Sequence, residues 1–120
     1  MNKILIIEDD ENWMRFLNGH LKNNLDVNIS CYETVVEGID NIVGDEKVIL
    51  SDIYTPNGIG FNVVDYVVKK HPHIPVILMS ADQFSNIEVQ RMITNGAYKF
   101  IEKMYGLAEI TKTIGKILEN

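Results

Sequence analysis

A single cysteine, Cys31, is all the thiol this chain has, so no disulfide can form within it. A lone cysteine at a strand end is expected as a small buried hydrophobe rather than a reactive thiol. No apolar run approaches the ~18 residues of a membrane span. The opening MNKILII turns acidic at once and has no cleavage-like segment, so it does not read as a signal peptide. Positive charge is also scarce. Eleven Lys and Arg stand against 17 Asp and Glu, for a net charge of −6. Phosphate neutralisation needs clustered Lys and Arg, so direct nucleic-acid binding is not expected. Linkers, low-complexity tracts and internal repeats are missing too. What remains is 120 residues with an ordinary apolar fraction of 46%, enough for one domain with its own core. The expectation is a cytoplasmic, non-membrane protein with one domain over residues 1–120 and no further domain in this chain.

The organising stretch is VILSDIYTPNGIG, residues 48–60. Val48, Ile49 and Leu50 read as a buried strand that ends in one acid, Asp52. Thr55-Pro56-Asn57-Gly58 and Gly60 then mark a turn. Around it the chain alternates. Residues 3–7 are a short apolar strand followed by Glu8-Asp9-Asp10. Trp13, Phe16, Leu17, Leu21 and Leu25 then fall at helical spacing. Val27, Ile29 and Cys31 alternate with polar residues as a more edge-like strand, and residues 34–43 read as a helix closed by Gly44. After the turn, Phe61, Val64, Val67 and Val68 set a third helix that ends before Pro72. PVILMS, residues 75–80, is a fourth strand. Ile87, Met92 and Ile93 mark a helix stopping at Asn95-Gly96. Residues 98–101 are a fifth strand, and Leu107 to Leu118 a last amphipathic helix. Strand–helix repeated five times predicts right-handed crossovers and a doubly wound parallel sheet.

Polar residues recur at the carboxyl ends of four strands: Glu8-Asp9 after the first, Asp52 after the third, Ser80 after the fourth and Lys103 after the fifth. Singly, each has a plain structural account as a cap, an Asx-turn or a solvated side chain. If the strand order is 2-1-3-4-5, the first and third strands meet at the topological switch point and their acids converge. Three carboxylates in one place repel, and a divalent cation relieves that; hard oxygen ligands suit Mg²⁺. A hydroxyl and an ammonium across the same site make sense if an anion arrives there. An Asp can itself be the nucleophile that accepts a phosphoryl group.

These residues, from KILIIEDDE through VILSDIYTPNGIG and IPVILMSA to NGAYKFIEKM, resemble the receiver domains of two-component response regulators along the whole chain. The resemblance implies a flavodoxin-like (βα)5 fold with strand order 2-1-3-4-5. It implies that Asp52 is the phosphoacceptor, with Lys103 the site lysine, Ser80 the switch hydroxyl and Phe100 the switch aromatic. Mg²⁺ would be held by Asp9, by Asp52, by the backbone carbonyl of Tyr54 and, through water, by Glu8. Tyr54 and Asp82 would stand at the site rim. The phosphoryl donor would be a histidine kinase or a histidine phosphotransfer protein. The face of the fourth helix, fifth strand and fifth helix would then meet a downstream protein or a second copy. The domain would be a self-phosphorylating switch and not a turnover enzyme.

Two positions depart from the family pattern. The proline expected after the site lysine, in a cis peptide, is here Met104; since a cis non-proline bond costs about 2.5–4 kcal/mol, a trans Lys103–Met104 bond is expected. The acidic-glycine pair after the phosphoacceptor turn is Ile59-Gly60. Other functions remain in view. A haloacid-dehalogenase-type phosphatase needs a second Asp where Tyr54 stands. An FMN carrier of this fold needs a phosphate loop where the acidic Glu8–Glu11 stretch would repel the phosphate. A degenerate receiver would bind partners without phosphorylation.

Overall fold

A computed structural model describes residues 1–104 and 106–119. The alternation becomes β1 (Asn2–Ile7), α1 (Glu11–Asn24), β2 (Val27–Tyr32), α2 (Val35–Asp40), β3 (Val48–Asp52), β4 (Tyr54–Thr55), β5 (Gly58–Ile59), α3 (Gly60–Lys70), β6 (Val76–Ser80), α4 (Asn86–Thr94), β7 (Lys99–Glu102) and α5 (Leu107–Glu119). The main sheet runs β2-β1-β3-β6-β7, all parallel. With the small β4–β5 hairpin set aside, this is the expected order 2-1-3-4-5.

The central strands are apolar at every pleat because both faces are covered. In β1, Ile4 and Ile6 point to one core and Leu5 and Ile7 to the other. The first core takes Leu17 and Leu21 from α1 and Ile110 and Ile114 from α5. The second takes Val35 of α2, Val63, Val64 and Val67 of α3, and Met92 of α4. Pairing of Ile4 with Val48 in one layer and of Leu5 with Ile49 in the other keeps each layer continuous across the sheet. A one-residue slip would exchange the two layers, so burial fixes the register. That register brings Asp52 level with Met79, one residue short of Ser80.

Several local expectations need correction. The second helix is shorter than residues 34–43: Thr34 caps it and it ends at Asp40. Val43 is exposed. Gly44, at φ 116°, belongs to a following turn whose Val43 and Gly44 amides donate to the Glu46 carboxylate at 2.9 and 2.8 Å, so that carboxylate takes hold of the chain before Gly44 can close the helix. Cys31 is exposed, not buried, because β2 is an edge strand whose outer end is incompletely covered. Its sulfur lies 3.8 Å from the Glu8 carbonyl oxygen. The thiol is partly desolvated even so, and that, with the Glu8 and Glu33 charges, pushes its pKa up to about 11. Phe16, Val68 and Ile87 keep helical spacing yet face outward. The turn after Asp52 is a two-strand hairpin, Tyr54 paired with Ile59 and Thr55 with Gly58, with Asn57 at φ 60°, a conformation Asn tolerates. No described helix is long and apolar enough to cross a membrane.

Candidate functional site

The site is built from four strand ends. β1 delivers Glu8 and Asp9 as it leaves the sheet. Glu8 is 2% exposed. Its amide donates to the Tyr32 carbonyl at 2.8 Å, and its Oε2 accepts the Asp10 amide at 2.9 Å. Asp10 in turn caps α1, its Oδ1 accepting the amides of Asn12 and Trp13 at 3.0 and 3.1 Å. The capping acid is thus Asp10, which leaves Glu8 and Asp9 for the site. β3 delivers Asp52, 7% exposed. Carboxylate oxygens of Glu8, Asp9 and Asp52 lie within 4.8 Å of one another, with Asp9 the exposed member. That all-oxygen donor set could hold a hard divalent cation.

Lys103 closes the ring of charge. Its Nζ lies 2.6 Å from Glu8 Oε1 and 3.0 Å from Asp52 Oδ2. Burial alone would lower the Lys103 pKa, but hydrogen bonds to Glu8 and Asp52 outweigh it and hold the ammonium above its ordinary value. Burial raises Glu8 above the usual carboxylate range, and the Asp52 charge adds to that against the opposing pull of Lys103 and the Asp10 amide. The lysine's backbone is set by the neighbouring strand, since the Lys103 amide donates to the Ser80 carbonyl at 2.8 Å. Among the described residues there is no cis peptide, so the Lys103–Met104 bond is trans as expected.

Ser80 ends β6 at 1% exposure. Its Oγ accepts the Asp82 amide at 3.1 Å, so the backbone of exposed Asp82 helps fix the hydroxyl. Tyr54 stands exposed two residues after Asp52. Its ring stacks on Phe84 at 6.5 Å, and Phe84 meets Phe100 edge-on at 5.2 Å. An aromatic row therefore runs from the rim at Tyr54 to Phe100 in β7. Gly60 explains why glycine is needed after the hairpin: a Cβ there would lie 2.5 Å from the Asp52 carbonyl oxygen.

Glu8, Asp9, Asp52 and Lys103 are brought together, with Ser80 ending the adjacent strand; Tyr54 and Asp82 are exposed just beyond the strand ends, and Phe100 lies within β7, paired with Leu78. Sequence reasoning missed two contributors. Phe84, in the loop after β6, bridges Tyr54 and Phe100; its only signal was an aromatic in a polar loop. Trp13, counted among the core-facing residues of α1, also lies under Lys103, its ring centroid 5.7 Å from Nζ. Its signal was a large aromatic in the first turn after the acids.

Fold and site define a doubly wound α/β protein with an acid–lysine centre at the switch point. A family profile described as response regulator receiver domain matches residues 4–115, and the chain belongs to that family. It is 29% identical over 75 residues to the DNA-binding transcriptional regulator NtrC of Bradyrhizobium sp. (strain RP501 Parasponia), a match covering 62% of this chain and 15% of that protein. The NtrC of Rhizobium meliloti (strain 1021) is 30% identical over 75 residues, with the same coverage. The chain thus matches a small fraction of these relatives' length. Among solved structures, the non-phosphorylated HemR receiver domain from Leptospira biflexa is similar at TM-score 0.88 and 25% identity, covering 100% of this chain and 96% of that one. The receiver domain of the Francisella response regulator 1452 has the same fold at TM-score 0.89 and 19% identity, covering 99% and 98%.

Proposed function

We propose that Asp52 accepts a phosphoryl group from a phosphohistidine of a histidine kinase or histidine phosphotransfer protein, with Mg²⁺ as cofactor. The observation that carries this reading is the grouping at Asp52: Lys103 Nζ at 3.0 Å, with Glu8 and Asp9 carboxylates beside it. A carboxylate oxygen of Asp52 attacks phosphorus. An O–P bond forms and the donor's N–P bond breaks, the imidazole keeping the electron pair. The Lys103 ammonium offsets charge on the transferring oxygens. Ser80, whose Oγ accepts from Asp82, has its own O–H to donate to a phosphoryl oxygen. Asp9, Asp52 and the Tyr54 carbonyl, with Glu8 through water, would hold Mg²⁺, which when bound neutralises the crowded acids and the incoming phosphoryl group.

The phosphoryl group adds about −1.5 to −2 charges. Drawing Ser80 toward it shifts the β6–α4 loop, and with it Phe84 and Phe100, between two states. The face of α4, β7 and α5 is the output surface, toward a downstream protein or a second copy. Exposed Ile87, Tyr98 and Met104 give it apolar character. The chemistry is self-catalysed and single-turnover, a switch and not an enzyme cycle.

Incubation with a small phosphoramidate donor and Mg²⁺, followed by intact mass measurement, tests the reading. One added phosphoryl group is expected, and none in Asp52→Asn. Labelling that persists in that variant would place the nucleophile elsewhere.

A further inference from the structure

Lys103 follows β7 by one residue and reaches the site with its side chain. Met104 after it is exposed. The backbone of this segment is tied at both ends: the Lys103 amide donates to the Ser80 carbonyl at 2.8 Å, the Gly106 amide to the Lys103 carbonyl at 3.0 Å, and the Ile110 amide to the Gly106 carbonyl at 2.8 Å. The ammonium has three N–H donors. Glu8 Oε1 and Asp52 Oδ2 engage it at 2.6 and 3.0 Å. The ammonium also lies over the Trp13 ring, whose centroid is 5.7 Å from Nζ, within the ~6 Å reach of a cation–π interaction.

Trp13 is held in place by the site's own acids. Glu8 Oε2 accepts the Asp10 amide, and Asp10 Oδ1 accepts the Trp13 amide. Glu8, Asp10, Trp13 and Lys103 therefore form a closed circuit that returns to Glu8 through its other oxygen. The indole Nε1 is buried with no hydrogen-bond partner among the described residues. A buried donor left unpaired is unfavourable, so the ring is not placed by its N–H. It is placed by its faces, which pack on the α1–α5 core and against Lys103.

We infer that Trp13 is a positioning residue for Lys103, its ring holding the ammonium beside Asp52 by a contact for which no anion competes. The inference rests on the reading of Asp52 as phosphoacceptor. In that reaction the oxygens of Asp52 are taken up by the phosphoryl group, and phosphoryl oxygens compete with both carboxylates for the ammonium. Electrostatic ties to Glu8 and Asp52 must loosen. The neutral indole face keeps its hold throughout.

The test follows Asp52 labelling by phosphoramidate with Mg²⁺ in four proteins: the parent, Trp13→Leu, Lys103→Ala and the double variant. Trp13→Leu is expected to label about three- to tenfold more slowly, as for a partly desolvated cation–π contact, and Trp13→Phe to stay within about twofold of the parent. In the Lys103→Ala background, Trp13→Leu should have no further effect, since a positioning residue acts through the group it positions. Parental labelling in Trp13→Leu, or the same fractional loss in both backgrounds, would overturn the inference. Thermal melts accompany each variant; if Trp13→Leu fails to fold, Trp13→Met replaces it, keeping apolar bulk without a ring. A readout independent of labelling uses the chain's single tryptophan. Lys103→Ala should change its fluorescence lifetime, and Lys112→Ala should not; an unchanged lifetime in Lys103→Ala would refute the contact. A parent that takes up no phosphoryl group would instead refute the Asp52 reading, leaving the lifetimes to judge the Trp13–Lys103 contact.

Discussion

Two buried glutamates stand at opposite ends of the sheet and are held in different ways. Glu46, just before β3, is 6% exposed and has both oxygens taken by the amides of Val43 and Gly44. Its partners belong to the backbone of one turn. Glu8, just after β1, is 2% exposed and shares its oxygens between the Asp10 amide and the side chain of Lys103. Its ammonium partner is also claimed by Asp52. The first arrangement is closed and fixes a turn. The second depends on an exchangeable side-chain charge, so an arriving anion can redistribute it. Burial of an acid therefore does not separate structure from function here; the identity of its partners does.

The largest expected effect that would sharpen this contrast comes from Lys103→Ala. It removes the ammonium from the reacting oxygens and should slow labelling of Asp52 by about a hundredfold, as loss of a preorganised charge-stabilising donor does. Labelling rates within about threefold of the parent would move Lys103 out of the chemistry. Next comes Glu46→Gln, where an amide nitrogen would face a backbone donor. It should cost about 1–3 kcal/mol in denaturant unfolding and leave the labelling rate unchanged. A labelling defect at parental stability would erase the distinction between the two ends. A smaller effect is expected at the rim. If the Tyr54 ring screens Asp52 from in-line water, Tyr54→Asn should shorten the phosphoryl half-life after donor removal several-fold with little change in stability. Equal decay rates would leave Tyr54 without a part in the lifetime.

The smallest effect is a slope. Glu8 is raised above its ordinary value of 4.5, so the folded state binds its proton more tightly than the unfolded state does. Stability in metal-free buffer should therefore fall as pH rises from about 4.5 through the raised value, because the unfolded chain releases the proton first. Glu8→Gln should flatten that part of the unfolding profile. A profile of the same shape in parent and variant would show that Lys103 fully compensates the buried charge.

Most of the architecture was legible in the sequence because it depends on patterns that burial enforces. Continuous apolar runs such as Val48-Ile49-Leu50 permit only a doubly covered strand, and five alternations permit few topologies. The site was legible for the same reason: Glu8, Asp9, Asp52, Ser80 and Lys103 all follow such runs directly. What escaped depends on contacts between segments far apart in sequence. The second helix ends early because Glu46, beyond its end, captures the turn amides. Cys31 is exposed because β2 lies at the edge. Trp13 has the spacing of a core residue, and only the return of β7 alongside β6 brings Lys103 onto its ring. The β4–β5 hairpin read as a plain turn because its strands are two residues each.

The central claim is that the carboxylate of Asp52 carries the phosphoryl group. The most direct measurement is borohydride reduction of the labelled protein followed by peptide mapping, since hydride converts an acyl phosphate to the corresponding alcohol. The account predicts homoserine at position 52 and unchanged aspartate at Asp9 and Asp10. Reduction at Asp9 or Asp10, or a label that resists borohydride, would contradict it.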